Sequence, residues 1–285
     1  MALKIDPEKI IKAPFIEKDW WKKAGTIALL FFCVILLTVI FQMISSFIAV
    51  PIIGLIFAGI EESAAMRVET DLLLSAVAAV VILIVYGGMS LILIPLFIYL
   101  TGYINRYAKA VMQDQNAVLP KHENIKQQMK FGFRAFVSTA TYNVIFALVA
   151  NLVFILPFVL LLNDFDTYIW GVVAFAVVYS LIYTAGTVLF NLISTSSGYI
   201  FLKTNSVRKA LKFSNIKKVI KDGWKHILVL WGLNIILWFI IYAIWIFTSC
   251  FGFITMPIIA SLWMIYSGYL KGYVLGQLKV DNFED

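Results

Sequence analysis

GTIALLFFCVILLTVIFQMISSFIAVPIIGLIFAGI, residues 25–60, runs for 36 positions without one Asp, Glu, Lys, Arg or His. A helix needs only ~20 such residues to cross the hydrocarbon layer of a bilayer. The run is too long for the apolar part of a cleavable signal and lacks a small-residue cleavage pattern after it, so it reads as a retained membrane span. Four further uncharged stretches follow at 72–105, 135–163, 167–202 and 227–270. The last divides around Cys250-Phe251-Gly252-Phe253, with Pro257 just beyond, into two spans of about twenty residues each.

The chain therefore reads as all-α, a polytopic transmembrane bundle of six spans in a single membrane domain, 1–285. Its parts are an N-terminal segment 1–24, spans at 25–60, 72–103, 135–162, 168–202, 227–249 and 254–276, and loops at 104–134 and 203–226. Composition agrees: at 62% hydrophobic and 14% charged, the chain has more apolar surface than one water-soluble core could bury. As helices, the first two stretches would reach ~50 Å against a hydrocarbon core of ~30 Å, so they must tilt, kink or extend beyond the bilayer. Pro51, Gly87-Gly88 and Pro95 are the candidate kink points.

Basic residues set the orientation. The N-terminal segment, the two long loops and the C-terminal tail hold 22 of the 23 Lys and Arg, and only Arg67 lies in the opposite set of loops. Basic loops stay inside, which predicts a cell-membrane protein with cytoplasmic N- and C-termini and short acidic outer loops at 61–71 and 163–166. The net charge of +7 is then mainly a property of the cytoplasmic face, suited to anionic lipid headgroups. No nucleic-acid-binding module accompanies the basic loops, so nucleic acid is not an expected partner.

The ends of the even-numbered spans share a pattern: Thr101-Gly102-Tyr103, Ser197-Gly198-Tyr199 and Ser267-Gly268-Tyr269. Three helical hairpins, each entering from and returning to the cytoplasm, would produce it. A small residue beside an interfacial Tyr would look the same without any repeat. In span six Gly268, Gly272 and Gly276 recur every fourth residue, a stripe for close helix contact, and Lys271 beside it can snorkel to the inner interface.

From Ser214, read as an N-cap, the residues Ile216, Val219, Ile220, Gly223 and Trp224 recur at helical spacing with Lys217, Lys218, Lys221 and Lys225 between them. That pattern predicts an amphipathic elbow with its apolar stripe at the headgroup boundary and its four lysines as headgroup ligands. Ser206–Phe213 forms a shorter preceding turn of the same kind. Leu119-Pro120 stops the turn in the other loop, where His122 stands without a partner at ligand spacing, as does His226. Cys33 and Cys250 lie in apolar segments and form no disulfide or metal pattern.

The span cores read as free of ionisable groups, which disfavours a proton- or charge-coupled pump. Their polar residues are neutral, and span four is the most polar, through Asn191, Ser194, Thr195 and Ser197. Such residues either hydrogen-bond across helix contacts or line a cavity for a polar, uncharged solute. No hydrolase elbow, phosphate loop, paired carboxylates or zinc helix occurs, so neither an enzyme nor a cofactor or metal is expected.

Ile11-Lys12-Ala13-Pro14-Phe15 with Asp19-Trp20, the Gly102-Tyr103 to Arg106 exit, Leu119-Pro120 before Phe131-Gly132, Ser206–Phe213 leading into Ile216-Lys217-Lys218-Val219-Ile220, and Gly276-Gln277 occur in this order. In this the chain resembles the domain of unknown function 4013 family of archaeal and bacterial multi-span membrane proteins. The resemblance implies a helical membrane domain and carries over no functional residue. Two functions fit: a non-enzymatic integral membrane protein organising lipid or partner proteins at the cytoplasmic membrane, or a transporter or exporter of a neutral or lipid-like solute. Membrane lipids are the expected partners, with membrane proteins or a homo-oligomer as further candidates.

Overall fold

The computed structural model of the chain describes residues 5–12, 15–61, 93–122, 124–162, 169–248 and 252–284. Among them the regular structure is helical: α1 (Pro7–Lys12), α2 (Trp20–Glu61), α3 (93–113), α4 (Ile125–Leu162), α5 (Ile169–Thr204), α6 (Val207–Leu211), α7 (Phe213–Thr248) and α8 (Gly252–Gly276). Five segments are long and apolar enough to cross a membrane: Trp20–Ile40, Ile125–Ala150, Val177–Thr204, Phe213–Thr248 and Thr255–Gly276. The expected second span, 72–103, lies outside the described residues up to position 92, and its remainder opens α3. The outer loops also lie outside them, except for Glu61 at the end of α2. The division of the last uncharged stretch falls where expected, with α7 ending at Thr248 and α8 beginning at Gly252.

The two expected loops are largely helix. Near a bilayer surface, unpaired backbone amides are costly, and continuing the helix satisfies them locally. Accordingly α3 runs on to 113 and stops at the polar Asp114–Asn116 turn, while α4 starts at Ile125. Residues 203–226 become the end of α5, the short α6 and the first turns of α7. Asn205, at φ 56, terminates α5 in the left-handed conformation that Asn tolerates better than most side chains. Ser206 caps α6 by accepting from the Lys209 amide at 3.4 Å. Ser214, read as a cap from its sequence position, instead lies inside α7, and its hydroxyl donates to Glu284.

Buried side chains concentrate at one end of the bundle: Tyr103, Tyr107 and Val111 of α3, Tyr199–Leu202 of α5, Ile216, Val219 and Ile227 of α7, and Tyr269, Leu270, Tyr273, Val274 and Leu275 of α8. Towards the other end, large apolar residues such as Leu148, Leu181 and Phe239 stand exposed, and Phe247 is 88% exposed. Such a surface needs an apolar solvent.

The packed end is made by glycines and tyrosines acting together. Gly102 and Gly132 bring the α3 and α4 backbones into contact; a Cβ on Gly132 would meet the Ile98 carbonyl oxygen and, at 2.7 Å, the Gly102 nitrogen. The stripe Gly268, Gly272 and Gly276 of α8 packs against Ile104, Ala108 and Met112 of α3, matching a four-residue period with another. Beside Gly102, Gly198 and Gly268 sit Tyr103, Tyr199 and Tyr269, all fully buried. Their hydroxyls donate to Pro120 O (2.9 Å), Leu278 O (2.8 Å) and Gln115 O (3.5 Å), tying down the chain beyond the helix ends. The Gly-Tyr pairs thus anchor the core in place of an interfacial aromatic belt.

Candidate functional site

Where α4, α5, α7 and α8 face one another, just beyond the packed end, lies a cavity of about 250 Å³. Its lining comprises Thr139, Ser194, Thr195, Leu230, Trp231, Asn234, Ser267 and Lys271. Most of these residues are only half-buried, so the cavity is not sealed. Its polarity comes from residues chosen by helical spacing, since Ser267 and Lys271 are one turn apart on α8, and Trp231 and Asn234 are three apart on α7.

Lys271 departs from its expected position. Its side chain does not snorkel out of the bundle but donates to Asn105 Oδ1 of α3 at 2.7 Å. Asn105 is held for this role by its own amide nitrogen, which donates to Thr101 O at 2.8 Å. Gly198 leaves the room: a Cβ there would lie 3.5 Å from the ammonium nitrogen and 3.0 Å from Thr139. The expectation that the spans carry no charge is therefore corrected at this position. A lysine five residues from the end of a helix can reach water or turn inward, and the α3 amide makes the inward position favourable.

The four polar candidates of span four divide between the two roles weighed for them. Ser197 is fully buried and donates to Ser138 O (2.5 Å) and Ala210 O (2.8 Å), fastening α5 to α4 and α6. Ser194 donates to Thr139 O at 2.6 Å and also borders the cavity. Thr195 lines it and accepts from Trp231 Nε1 at 3.4 Å. Asn191, one turn further along, is half-buried outside the lining.

The elbow also differs from expectation. The apolar stripe of Ile216, Val219 and Gly223 is buried inside the protein, with Gly223 against Leu278 of the C-terminal tail, and only Trp224 of that stripe is exposed. The periodicity reported an apolar face, and the tail covers it where lipid was expected. Lys217, Lys221 and Lys225 are exposed on the opposite side, while Lys218 donates to the carbonyls of Asp281 (2.7 Å) and Asn282 (3.4 Å).

The tail is strapped across the elbow by charge. Lys203 pairs with Asp281 at 2.6 Å and Lys212 with Glu284 at 3.1 Å, and Asn215 bonds the Glu284 backbone in both directions at 3.0 Å. These lysines hold both carboxyls below their usual range. Next to the strap, Lys109, Gln113, Tyr199 and Lys203 border a second cavity of about 270 Å³.

The N-terminal segment and the α3–α4 loop close the same end. Lys23 pairs with Glu17 at 2.6 Å and donates to Leu119 O at 2.6 Å, and Lys9 donates to Gln115 at 3.0 Å. His122, without an expected partner, stacks on Tyr103 with centroids 4.3 Å apart and bonds the Tyr99 hydroxyl through Nδ1 at 2.8 Å. Burial lowers its pKa. These contacts make His122 part of the packing between α2 and α3. Among the described residues, no group of three His, Cys, Asp or Glu is placed to hold a metal.

Compared with known proteins, residues 88–251 match the family described as "Protein of unknown function (DUF4013)". No curated protein and no solved structure matches the chain.

Proposed function

The chain belongs to the DUF4013 family of proteins of unknown function, and from that membership together with the cavity we propose that it is a non-enzymatic, multi-pass protein of the cell membrane that binds a lipid-like solute by its polar head and moves it between leaflets. The observation that carries this reading is the cavity of about 250 Å³ with hydroxyl, amide and ammonium groups facing it at the level of the spans. An amphiphile could place its head among these groups while its tails remain in the apolar surround of the exposed outer halves. In this reading residues 72–92 complete a sixth span with the start of α3, and the three Gly-Tyr pairs end three helical hairpins. The convergence of the N-terminal segment, both basic connections and the tail at one end supports a cytoplasmic location for all four.

The test is lipid movement in vesicles reconstituted with the full chain and doped with a headgroup-labelled fluorescent lipid, with bleaching of outer-leaflet label from outside. We expect bleaching of the inner-leaflet pool at least tenfold faster than in protein-free vesicles, and slower again when Thr195→Leu or Ser267→Leu fills the cavity. Rates equal to those of protein-free vesicles would overturn the reading.

A second reading, organisation of anionic lipid at the inner surface, is favoured by the exposure of Lys217, Lys221 and Lys225. It requires that a triple alanine variant of these residues co-purify with less anionic lipid than the unaltered chain.

A further inference from the structure

We infer that the cavity takes an anionic head that carries its own hydroxyl groups, seated on the Lys271 ammonium. This rests on the reading of the cavity as an amphiphile site and adds the charge and hydrogen-bonding character of the head.

The charge follows from Lys271 having no acidic partner among the described residues. Described ion pairs of the chain join Lys12 to Glu8, Lys22 to Asp19, Lys23 to Glu17, Lys203 to Asp281 and Lys212 to Glu284, all in the terminal segments and the elbow. Lys271 has instead the neutral Asn105 amide at 2.7 Å. An ammonium withdrawn into a helical bundle is costly until a counter-charge reaches it, and intramembrane charges of this kind mark binding sites. Of its three N–H groups one is used on Asn105, which leaves donors for an anion in the cavity it lines.

The hydroxyl character follows from where the protons of the lining point. Thr139 donates to Ala135 O (2.9 Å), Ser194 to Thr139 O (2.6 Å), and the Asn234 amide nitrogen to Leu230 O (2.9 Å). Trp231 donates to Thr195 at 3.4 Å. Thr139 and Ser194 thus keep only lone pairs for a ligand, whereas Thr195 and Ser267 keep their hydroxyl protons and Asn234 its second N–H, so beside Lys271 the lining offers acceptors as well as donors. A bare oxyanion would use the donors and leave the acceptor oxygens of Thr139 and Ser194 unmatched. A head combining a phosphate or carboxylate with hydroxyls satisfies both sets, the anion on Lys271 and the hydroxyl protons on Ser, Thr and Asn oxygens. The volume suits such a head: about 250 Å³ corresponds to on the order of eight waters at ~30 Å³ each, room for a phosphate with a glycerol-sized polyol.

The experiment titrates the full chain in neutral detergent with three probes and follows thermal shift and tryptophan fluorescence. The probes are dihexanoylphosphatidylglycerol, sn-glycerol 3-phosphate and the uncharged dihexanoylglycerol. We expect the phosphate-bearing amphiphile to bind at least tenfold tighter than dihexanoylglycerol. Lys271→Gln should abolish that preference and keep the weaker binding of the neutral amphiphile. Asn105→Asp, which supplies a carboxylate to Lys271 from within in exchange for the amide bond to Thr101 O, should abolish it equally, and decides the matter if Lys271→Gln does not fold. Binding of sn-glycerol 3-phosphate comparable to that of the lipid would assign the head to a free solute, and binding of the lipid alone to a membrane lipid; either supports the inference. Equal binding of charged and neutral amphiphiles, or an undiminished preference in Asn105→Asp, would overturn it while leaving the amphiphile site standing. Failure of all three probes to bind would overturn the inference and the site together.

Discussion

Gly132 has no freedom to become anything larger. A Cβ there would meet the Ile98 carbonyl and lie 2.7 Å from the Gly102 nitrogen, and backbone atoms cannot rotate aside as a side chain can. Gly132→Ala should therefore force α3 and α4 apart at a cost of about 1–3 kcal/mol, the range for overpacking a core. Thermal unfolding in detergent measures it, with Gly232→Ala, which would meet nothing within 4 Å, as the neutral control. At this scale the sequence was legible where a residue's type limits its use, as with the Gly268, Gly272 and Gly276 stripe. It was misleading for Lys271, because distance from a helix end is one coordinate and the direction of the side chain is another. Only the position of Asn105, 166 residues away, determines that direction. Ser194 and Ser197 illustrate the same limit. They are one turn apart and chemically identical, yet one borders the cavity while the other is consumed by two carbonyls.

At the scale of elements, the tail strap is the feature most open to test by pH. Pairing with Lys203 and Lys212 lowers the Asp281 and Glu284 carboxyls. A carboxyl whose folded pKa is depressed stabilises the strap above the unfolded value, ~4 for such groups, and that stabilisation is lost as pH falls through the lower folded value. A fluorophore placed near the C-terminus should thus report an immobile tail at neutral pH and release under strong acid. Lys203→Met should shift that release towards higher pH, and an unshifted profile would show that the ion pair is not what holds the tail. His122 follows the same sign: burial depresses its pKa, so the α2–α3 junction loses the neutral imidazole's contribution as pH falls below ~6.5 and through the folded value. His122→Gln should remove the part of the acid sensitivity of unfolding that lies in this window. The elbow shows what periodicity leaves open. Ile216, Val219 and Gly223 correctly marked one face of α7 as apolar, but a repeat along one helix carries no information on whether lipid or a distant tail covers that face. The break between α7 and α8 was legible because Gly252 acts locally, on the backbone itself, whereas Pro257, expected just beyond it, lies inside α8.

For the whole molecule, the composition and the uncharged runs were sufficient to read an all-α membrane protein, since the need to satisfy backbone groups in lipid leaves few architectures. The cavity was not legible, because it depends on residues from α4, α5, α7 and α8 meeting at one level. With both termini on the basic side, tags at the two ends should report the same compartment in intact cells; opposite compartments would exclude six spans. The most direct measurement of the central claim, an unsealed polar site among the spans, is cysteine accessibility in sealed membranes, made in a chain whose Cys33 and Cys250 have been replaced by alanine. Thr195→Cys and Ser267→Cys should react with a small water-soluble maleimide, and Ser197→Cys should be protected. Unreactive cysteines at 195 and 267, in membranes where Lys217→Cys labels readily, would contradict it.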